Sequence, residues 1–169
     1  YDTTIFPPRY WAETINRPPT ITNHSEDFKS DIVIIGGGFT GLNAALELKE
    51  KFNQNVTVLD AGPIGWGASG RNGGFACMGG TKKSFQSLLK HFGHTQTKEV
   101  LKGQLEAVKQ VKKNLVKYKI DADKVDGGEL LFAHSQKSVE LIINNATFMK
   151  HELDFETKFF DKEELQKLG

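Results

Sequence analysis

The chain has a single cysteine, Cys77, in 169 residues. One thiol cannot build an internal disulfide framework, and such scarcity fits a reducing compartment, so a cytoplasmic location is expected. No apolar run approaches the ~20 residues that a membrane-spanning helix needs, and the first residues lack the hydrophobic core of a signal peptide. Charge of one sign is missing too, since 22 Lys and Arg face 21 Asp and Glu. A nearly neutral chain has no global field to draw nucleic acid or an anionic membrane, which leaves small-molecule chemistry as the better expectation. Metal-ligand clusters are also absent from the pattern. His91 and His94 are separated by Gly93, which interrupts a helix face, and no cysteine or carboxylate cluster accompanies them; His24, His134 and His151 are isolated. No metal is assigned.

What is present is concentrated between Asp31 and Asp60. Ile32, Val33, Ile34 and Ile35 form a β-branched run of the kind found in a strand covered by helices on both faces. Gly36, Gly38 and Gly41 follow with the GxGxxG spacing of a dinucleotide fingerprint. The first glycine allows the sharp turn, the second lets backbone approach a diphosphate, and the third lets helix and strand pack closely. Thr40 to Phe52 reads as an amphipathic helix, with Leu42, Ala45, Leu46 and Leu48 inward and Glu47, Lys49, Glu50 and Lys51 outward. Its N-terminal amides and positive dipole end would face the turn and make an anion site from backbone. Val56, Val58 and Leu59 form a second strand, and Asp60 closes it where an acid can accept hydrogen bonds from a ribose diol.

A glycine-rich loop follows, AGPIGWGASGRNGGFACMGG, with eight glycines between Ala61 and Gly80. Strand C-termini in open α/β sheets line the ligand crevice, so this loop is expected beside the cofactor. Gly67, Gly70, Gly73 and Gly74 permit close backbone approach, Ser69 offers a hydroxyl, and Arg71 a fixed positive charge. A flexible surface linker is the bland alternative, but it has no use for Trp66 and Arg71. Cys77 is expected to be a small buried residue.

GGGFTGLNAALEL, followed by the DAGPIGWGASGRNGG stretch, resembles the D-amino-acid oxidase family of flavoprotein amine and amino-acid oxidases, and most its γ-glutamylputrescine oxidase-like branch. RYWAET at Arg9 to Thr14 is similar to the aromatic helix before that branch's first strand. The resemblance implies a Rossmann-like α/β fold: an FAD-binding βαβ unit of the D-amino-acid oxidase/glutathione reductase type, with helical and strand additions beginning a substrate-side subdomain. It implies FAD as cofactor, with Gly36, Gly38, Phe39, Thr40 and Gly41 on the diphosphate and Asp60 at the adenosine ribose. Ala68, Ser69, Arg71, Asn72 and Gly73 would cover the diphosphate-to-flavin stretch, and Ala61 and Gly67 join the cofactor-binding set. Most members carry Glu where Asp60 stands, so the shorter arm would need the ribose closer. The implied reaction is hydride transfer from the amine-bearing carbon of an amine or amino acid to the flavin, with catalytic side chains beyond Gly169. A nicotinamide-dependent dehydrogenase domain and a non-catalytic dinucleotide-binding module remain as alternatives.

Three parts are expected: an N-terminal arm over 1–30, an FAD-binding core with its glycine loop over 31–80, and a helical region over 81–169. Pro7, Pro8, Pro18 and Pro19 make the arm extended, with a helical turn around Tyr10 to Thr14, packed on its own domain or closing over a ligand or a neighbouring subunit. Phe85, Leu88, Leu89 and Phe92 share a helix face before Gly93 breaks the run, and a long helix is expected over 97–118. Ten lysines between Thr81 and Lys119 read as a solvated face. Strands are expected at 129–133 and 155–160, a helix over 138–153, and a capping box from Asp161 to Glu164. The start at Tyr1 and the stop at Gly169, with only one βαβ unit between, suggest a piece of a longer protein.

Overall fold

A computed structural model describes residues 2, 3, 5, 8, 10–16, 27, 29–80 and 83–167. The chain divides into two compact units, Tyr1–Phe75 and Ala76–Gly169.

The first unit is the βαβ element. β1 (Ile32–Ile35) and β2 (Val56–Leu59) pair in parallel, Ile32 opposite Val56 and Ile35 opposite Leu59. The ladder is clamped at both ends: the Asp31 N–H donates to Asn55 O at 2.9 Å and the Gly36 N–H to Leu59 O at 2.7 Å. Between the strands runs α2 (Phe39–Phe52), which starts one residue earlier than periodicity places it. Gly38, in extended conformation, ends the strand-to-helix turn, and Asn53 stops the helix in the left-handed region with its N–H on Leu48 O. Gly41 is buried where helix crosses strand; a Cβ there would run into the carbonyl oxygen of Gly36 and meet Ile34. Only one face of β1 is covered. Val33 is 50% and Ile35 80% exposed, because α2 packs on one side and burial of both faces would need a second layer.

The described part of the arm lies on this unit. A short helix, α1 (Tyr10–Glu13), forms at the expected aromatic turn. The Thr3 hydroxyl donates to Ala61 O at 2.6 Å, the Trp66 indole N–H to Ile5 O at 2.9 Å, and the Trp11 ring lies against Gly74. Arg9 and the expectations on Pro7, Pro18, Pro19 and His24 fall outside the described residues.

The second unit is helical. α3 (Phe85–Lys117) is interrupted at Gly93, whose φ of 72° and ψ of 179° no helix tolerates. Thr97 holds the break: its side chain is fully buried and its hydroxyl donates to Gly93 O at 2.7 Å. Leu88 before the break and Leu101 after it are the buried apolar residues among those described. α4 (Gln136–Leu153) begins two residues before its expected start because the Ser135 side chain accepts from the Ser138 N–H. α5 (Lys162–Gln166) carries the anticipated capping box of Asp161 and Glu164. α3 and α4 meet through the edge-to-face rings of Phe85 and Phe148, 4.5 Å between centroids, and through Glu152, which faces Lys98 at 3.2 Å and His94 at 3.3 Å. No helix among the described residues is long and apolar enough to cross a membrane.

Other expectations fail as well. Residues 129–133 and 155–160 are not strands. A strand exists only where neighbouring backbone takes its N–H and C=O groups, and no described segment pairs with either stretch. Leu131 is 71% exposed in consequence. Cys77 is exposed, not buried, since it follows a glycine loop that packs few side chains around it. Nearby protein atoms strip some water from its thiol and the Glu129 carboxylate faces it, and both raise its pKa.

Gly41→Ala should cost about 2–4 kcal/mol in urea unfolding, because the clash is with backbone. Gly103→Ala, in the exposed middle of α3 where a Cβ meets nothing within 4 Å, should instead stabilise by about 0.5–1 kcal/mol. The hydrogen bond from Lys98, with His94 beside it, holds the Glu152 carboxyl below the ordinary range. Such a group stabilises the fold above its unfolded value of ~4.3 and loses that contribution as pH falls through the lower folded value. Thermal midpoints of wild type and Lys98→Met should therefore differ near neutral pH and converge in acid. A pH-independent gap would mean that Lys98 acts only by packing.

Candidate cofactor site

The turn from β1 to α2 is built from backbone. Gly36 adopts a φ of 109°, which side chains rarely reach, so the chain reverses out of the sheet there. The peptides on either side of the next residue are each held: the Gly37 N–H donates to Asp60 Oδ2 at 2.6 Å, and the Gly65 N–H donates to Gly37 O at 3.2 Å. Gly38 then stands at the head of α2 without a side chain to cap it. The first amides of any α-helix lack carbonyls four residues back, and the ladder of α2 starts only with the Leu42 N–H on Gly38 O, at 3.0 Å.

A distant residue meets one of those amides. Residues Ala68–Gly70 form a single 3₁₀ turn in the glycine loop, and the Ser69 Oγ within it accepts the Phe39 N–H at 2.9 Å. The same Oγ lies 2.8 Å from where a Cβ on Gly38 would be. The loop is shaped around this contact. Asn72 donates from Nδ2 to Ser69 O at 2.7 Å and accepts the Gly74 N–H at 2.8 Å. The Arg71 guanidinium lies 4.2 Å from the centre of the Trp66 ring, with its Nε–H on Trp66 O at 2.9 Å.

Two adjoining clefts open here. One, of about 340 Å³, is lined by Ile34, Ile35, Gly36, Gly38, Phe39, Thr40, Gly41, Ala44 and Ser69. The other, of about 410 Å³, is lined by Phe39, Ala68, Ser69, Asn72, Gly73 and Phe75. Phe39 and Ser69 belong to both. Of the residues singled out from sequence, these clefts gather Gly36, Gly38, Phe39, Thr40, Gly41, Ala68, Ser69, Asn72 and Gly73. Asp60, Ala61, Gly67 and Arg71 line neither. Asp60 is engaged through both oxygens, Oδ2 with Gly37 and Oδ1 with the Gly62 N–H at 2.9 Å. Ala61 accepts from Thr3, and Arg71 is stacked on Trp66.

Sequence reasoning missed Phe75, Gly37 and the apolar lining from Ile34, Ile35 and Ala44. Phe75 is 87% exposed at the end of a glycine run and lies against Gly73, a place that the glycine path leaves unreadable from sequence. No lining residue carries a charge, so the field in the clefts comes from the helix dipole and peptide N–H groups. That donor set suits a diphosphate: short amides, no Cβ on Gly38, and no carboxylate lining the approach.

Residues 31–169 match the family model described as FAD dependent oxidoreductase (DAO). The gamma-glutamylputrescine oxidoreductase of Escherichia coli (strain K12) is 32% identical over 119 residues, which are 70% of this chain and 28% of that protein. The probable oxidoreductase OrdL of Haemophilus influenzae is 34% identical over 113 residues, 67% of this chain and 26% of that protein. A probable oxidoreductase OrdL of Rhizobium meliloti is 46% identical over 71 residues, 41% of this chain and 16% of its own length. The chain thus spans little more than a quarter of the first two relatives, at 28% and 26%. No solved structure gives a significant match.

Ser69→Ala should expose the Phe39 amide. Loss of a hydrogen bond worth about 1 kcal/mol predicts roughly fivefold faster hydrogen exchange at that amide in the ligand-free chain. Unchanged exchange would show that another acceptor takes the position.

Proposed function

Because the chain belongs to the DAO family of FAD dependent oxidoreductases, we propose that its residues 31–80 form the FAD-binding part of an enzyme that oxidises a C–N bond of an amine or amino acid. The observation that carries the cofactor half of this reading is the position of Gly38. It lines a cleft at the positive end of α2, at the spot where a side chain would intrude. In this reading the amides of Gly38, Thr40 and Gly41 hold the diphosphate, while the Ser69 hydroxyl adds a polar contact from the loop. Ala68, Asn72 and Gly73 continue the cleft toward the flavin, with the Phe39 and Phe75 rings as its apolar walls.

When bound, FAD supplies the acceptor for the hydride that leaves the amine-bearing carbon. The residues of this chain contribute binding and orientation: backbone dipoles that offset the diphosphate charge, and a loop whose conformation is tied to the head of α2 through Ser69. Amine substrates rest on the family reading and on the relative named for gamma-glutamylputrescine. A cytoplasmic location rests on the single thiol.

Titration of the chain with FAD, followed by flavin fluorescence, tests the assignment, with NADH as the competing dinucleotide. FAD should saturate the chain and NADH should not displace it. Gly38→Ala should weaken FAD binding by an order of magnitude or more, ~1.4 kcal/mol per factor of ten. The ligand-free fold should survive, because the added Cβ meets only the end of the Ser69 side chain, which can rotate. Equal FAD affinity in the variant removes the diphosphate assignment.

A further inference from the structure

The glycine loop that carries Ser69 has little of its own to fix its path, since each glycine leaves the backbone free. Residues of the N-terminal arm meet it at three points. At its start the Thr3 hydroxyl donates to Ala61 O at 2.6 Å, and a Cβ on Gly62 would stand 3.1 Å from Thr3 Cβ and 3.3 Å from Trp66 Cγ. In its middle the Trp66 indole N–H donates to Ile5 O at 2.9 Å. At its end the Trp11 ring of α1 lies against Gly74, which has a φ of 78° and where a Cβ would stand 3.3 Å from Trp11 Cζ2. The arm itself lines neither cleft. We infer that it is a positioning element of the cofactor site, acting through Thr3, Ile5 and Trp11 to hold the Ala68–Gly70 turn, and with it Ser69, against the head of α2; its effect on FAD rests on the cofactor reading above.

Two routes lead from the arm to that turn. The first runs through Gly74. Its N–H donates to Asn72 Oδ1 at 2.8 Å, the Asn72 Nδ2 donates to Ser69 O at 2.7 Å, and the Ser69 Oγ accepts the Phe39 N–H at 2.9 Å. An indole that keeps Gly74 in place therefore keeps the Asn72 side chain turned toward Ser69. The second route runs through Trp66. Its carbonyl accepts the Arg71 Nε–H at 2.9 Å and its ring centre lies 4.2 Å from the guanidinium, while the Arg71 backbone N–H closes the 3₁₀ turn on Ala68 O at 3.1 Å. An indole anchored on Ile5 O thus orients the residue that ends the turn. Within the arm, the Tyr10 ring meets the Trp11 ring edge-on, 4.9 Å between centroids, and the Thr14 hydroxyl donates to Trp11 O at 3.0 Å, so α1 presents Trp11 to the loop in a fixed pose. Both routes converge on Ser69, which lines both clefts. A loop ordered in advance loses less freedom when a ligand arrives, and in this way an element outside a site raises affinity within it.

Amide hydrogen exchange of the ligand-free chain is compared in wild type, in the double variant Thr3→Val/Trp11→Ala, and in Trp11→Phe. In the double variant the Phe39 and Arg71 amides should exchange roughly threefold faster or more, while the Gly36 amide of the β-ladder keeps its wild-type rate. Trp11→Phe, which keeps a ring over Gly74, should retain most of the protection. Unchanged Phe39 and Arg71 exchange in the double variant would overturn the inference. So would an equal acceleration at Gly36, because the arm would then only stabilise the unit as a whole. Titration with FAD and with ADP adds a readout at the site. ADP reaches the turn over Gly36–Gly41 but has no flavin to lie along Ala68, Asn72 and Gly73. The double variant should therefore bind FAD roughly fivefold more weakly, as for one lost neutral contact, with ADP held within about twofold of wild type. Equal weakening of both ligands would count against a positioning role for the arm. If the wild-type chain binds neither ligand, the cofactor reading fails by itself, and the exchange comparison still decides whether the arm holds the turn.

Discussion

The constraint on which this molecule depends is that the first amides of an α-helix have no partners within the helix. At most helix starts a Ser, Thr, Asp or Asn at the N-cap solves the problem, as Ser84, Ser135 and Asp161 do for α3, α4 and α5. α2 has Gly38 there and no cap of its own. A residue that could have satisfied the helix locally has been replaced by one that leaves room. The acceptors must then come from elsewhere, and one of them is the hydroxyl of Ser69, thirty positions along the chain. The contact of the glycine loop with the helix start and the cleft beside it thus both go with one missing side chain.

The glycines around this start do different work, and the atoms that a Cβ would meet tell them apart. At Gly41 the obstacle is a backbone carbonyl of the turn itself, so the residue serves helix-on-strand packing. At Gly38 the obstacle is a movable hydroxyl, so the fold tolerates more there and the lost space would be felt by a ligand. Gly36 faces open space but has a positive φ, so its role is conformational. The fingerprint spacing therefore combines a stability requirement, a space requirement and a backbone requirement within six residues.

Local signals were legible in the sequence because their causes are local. The GxGxxG turn, the helix α2, the break at Gly93 and the capping box at Asp161 each follow from a few adjacent residues, and each is present, although Leu46, read as facing inward, is 38% exposed. Thr97 shows the limit of such reading: the break was visible, but not the buried hydroxyl that ties off its carbonyl. Residues 129–133 have the composition of a strand, with Leu130, Leu131 and Phe132 in succession, yet strand formation is a property of a pair and no described segment supplies the second member. The same holds for the exposed side of β1, where an apolar run signalled two covered faces and one is covered. The contact of Ser69 with the Phe39 amide, and the place of Phe75, were hidden for another reason. Which residue of a glycine-rich loop meets a helix start depends on the path of the loop, and glycines leave that path undetermined by sequence.

Charge explains why a site of this kind leaves so little trace in composition. The one guanidinium in the loop, Arg71, is stacked on Trp66 and bonded to its carbonyl, so it shapes the loop and lines neither cleft. The acid at the end of β2, Asp60, accepts two peptide N–H groups and lines neither cleft. What remains in the clefts is oriented backbone, whose dipoles act at hydrogen-bond range and contribute nothing to the net charge of the chain. A protein can thus be close to neutral, with 22 basic and 21 acidic residues, and still set the positive end of a helix against a cleft. The field there comes from peptide groups held in place by their neighbours, so the residues that shape it most are the ones that fix the directions of N–H bonds.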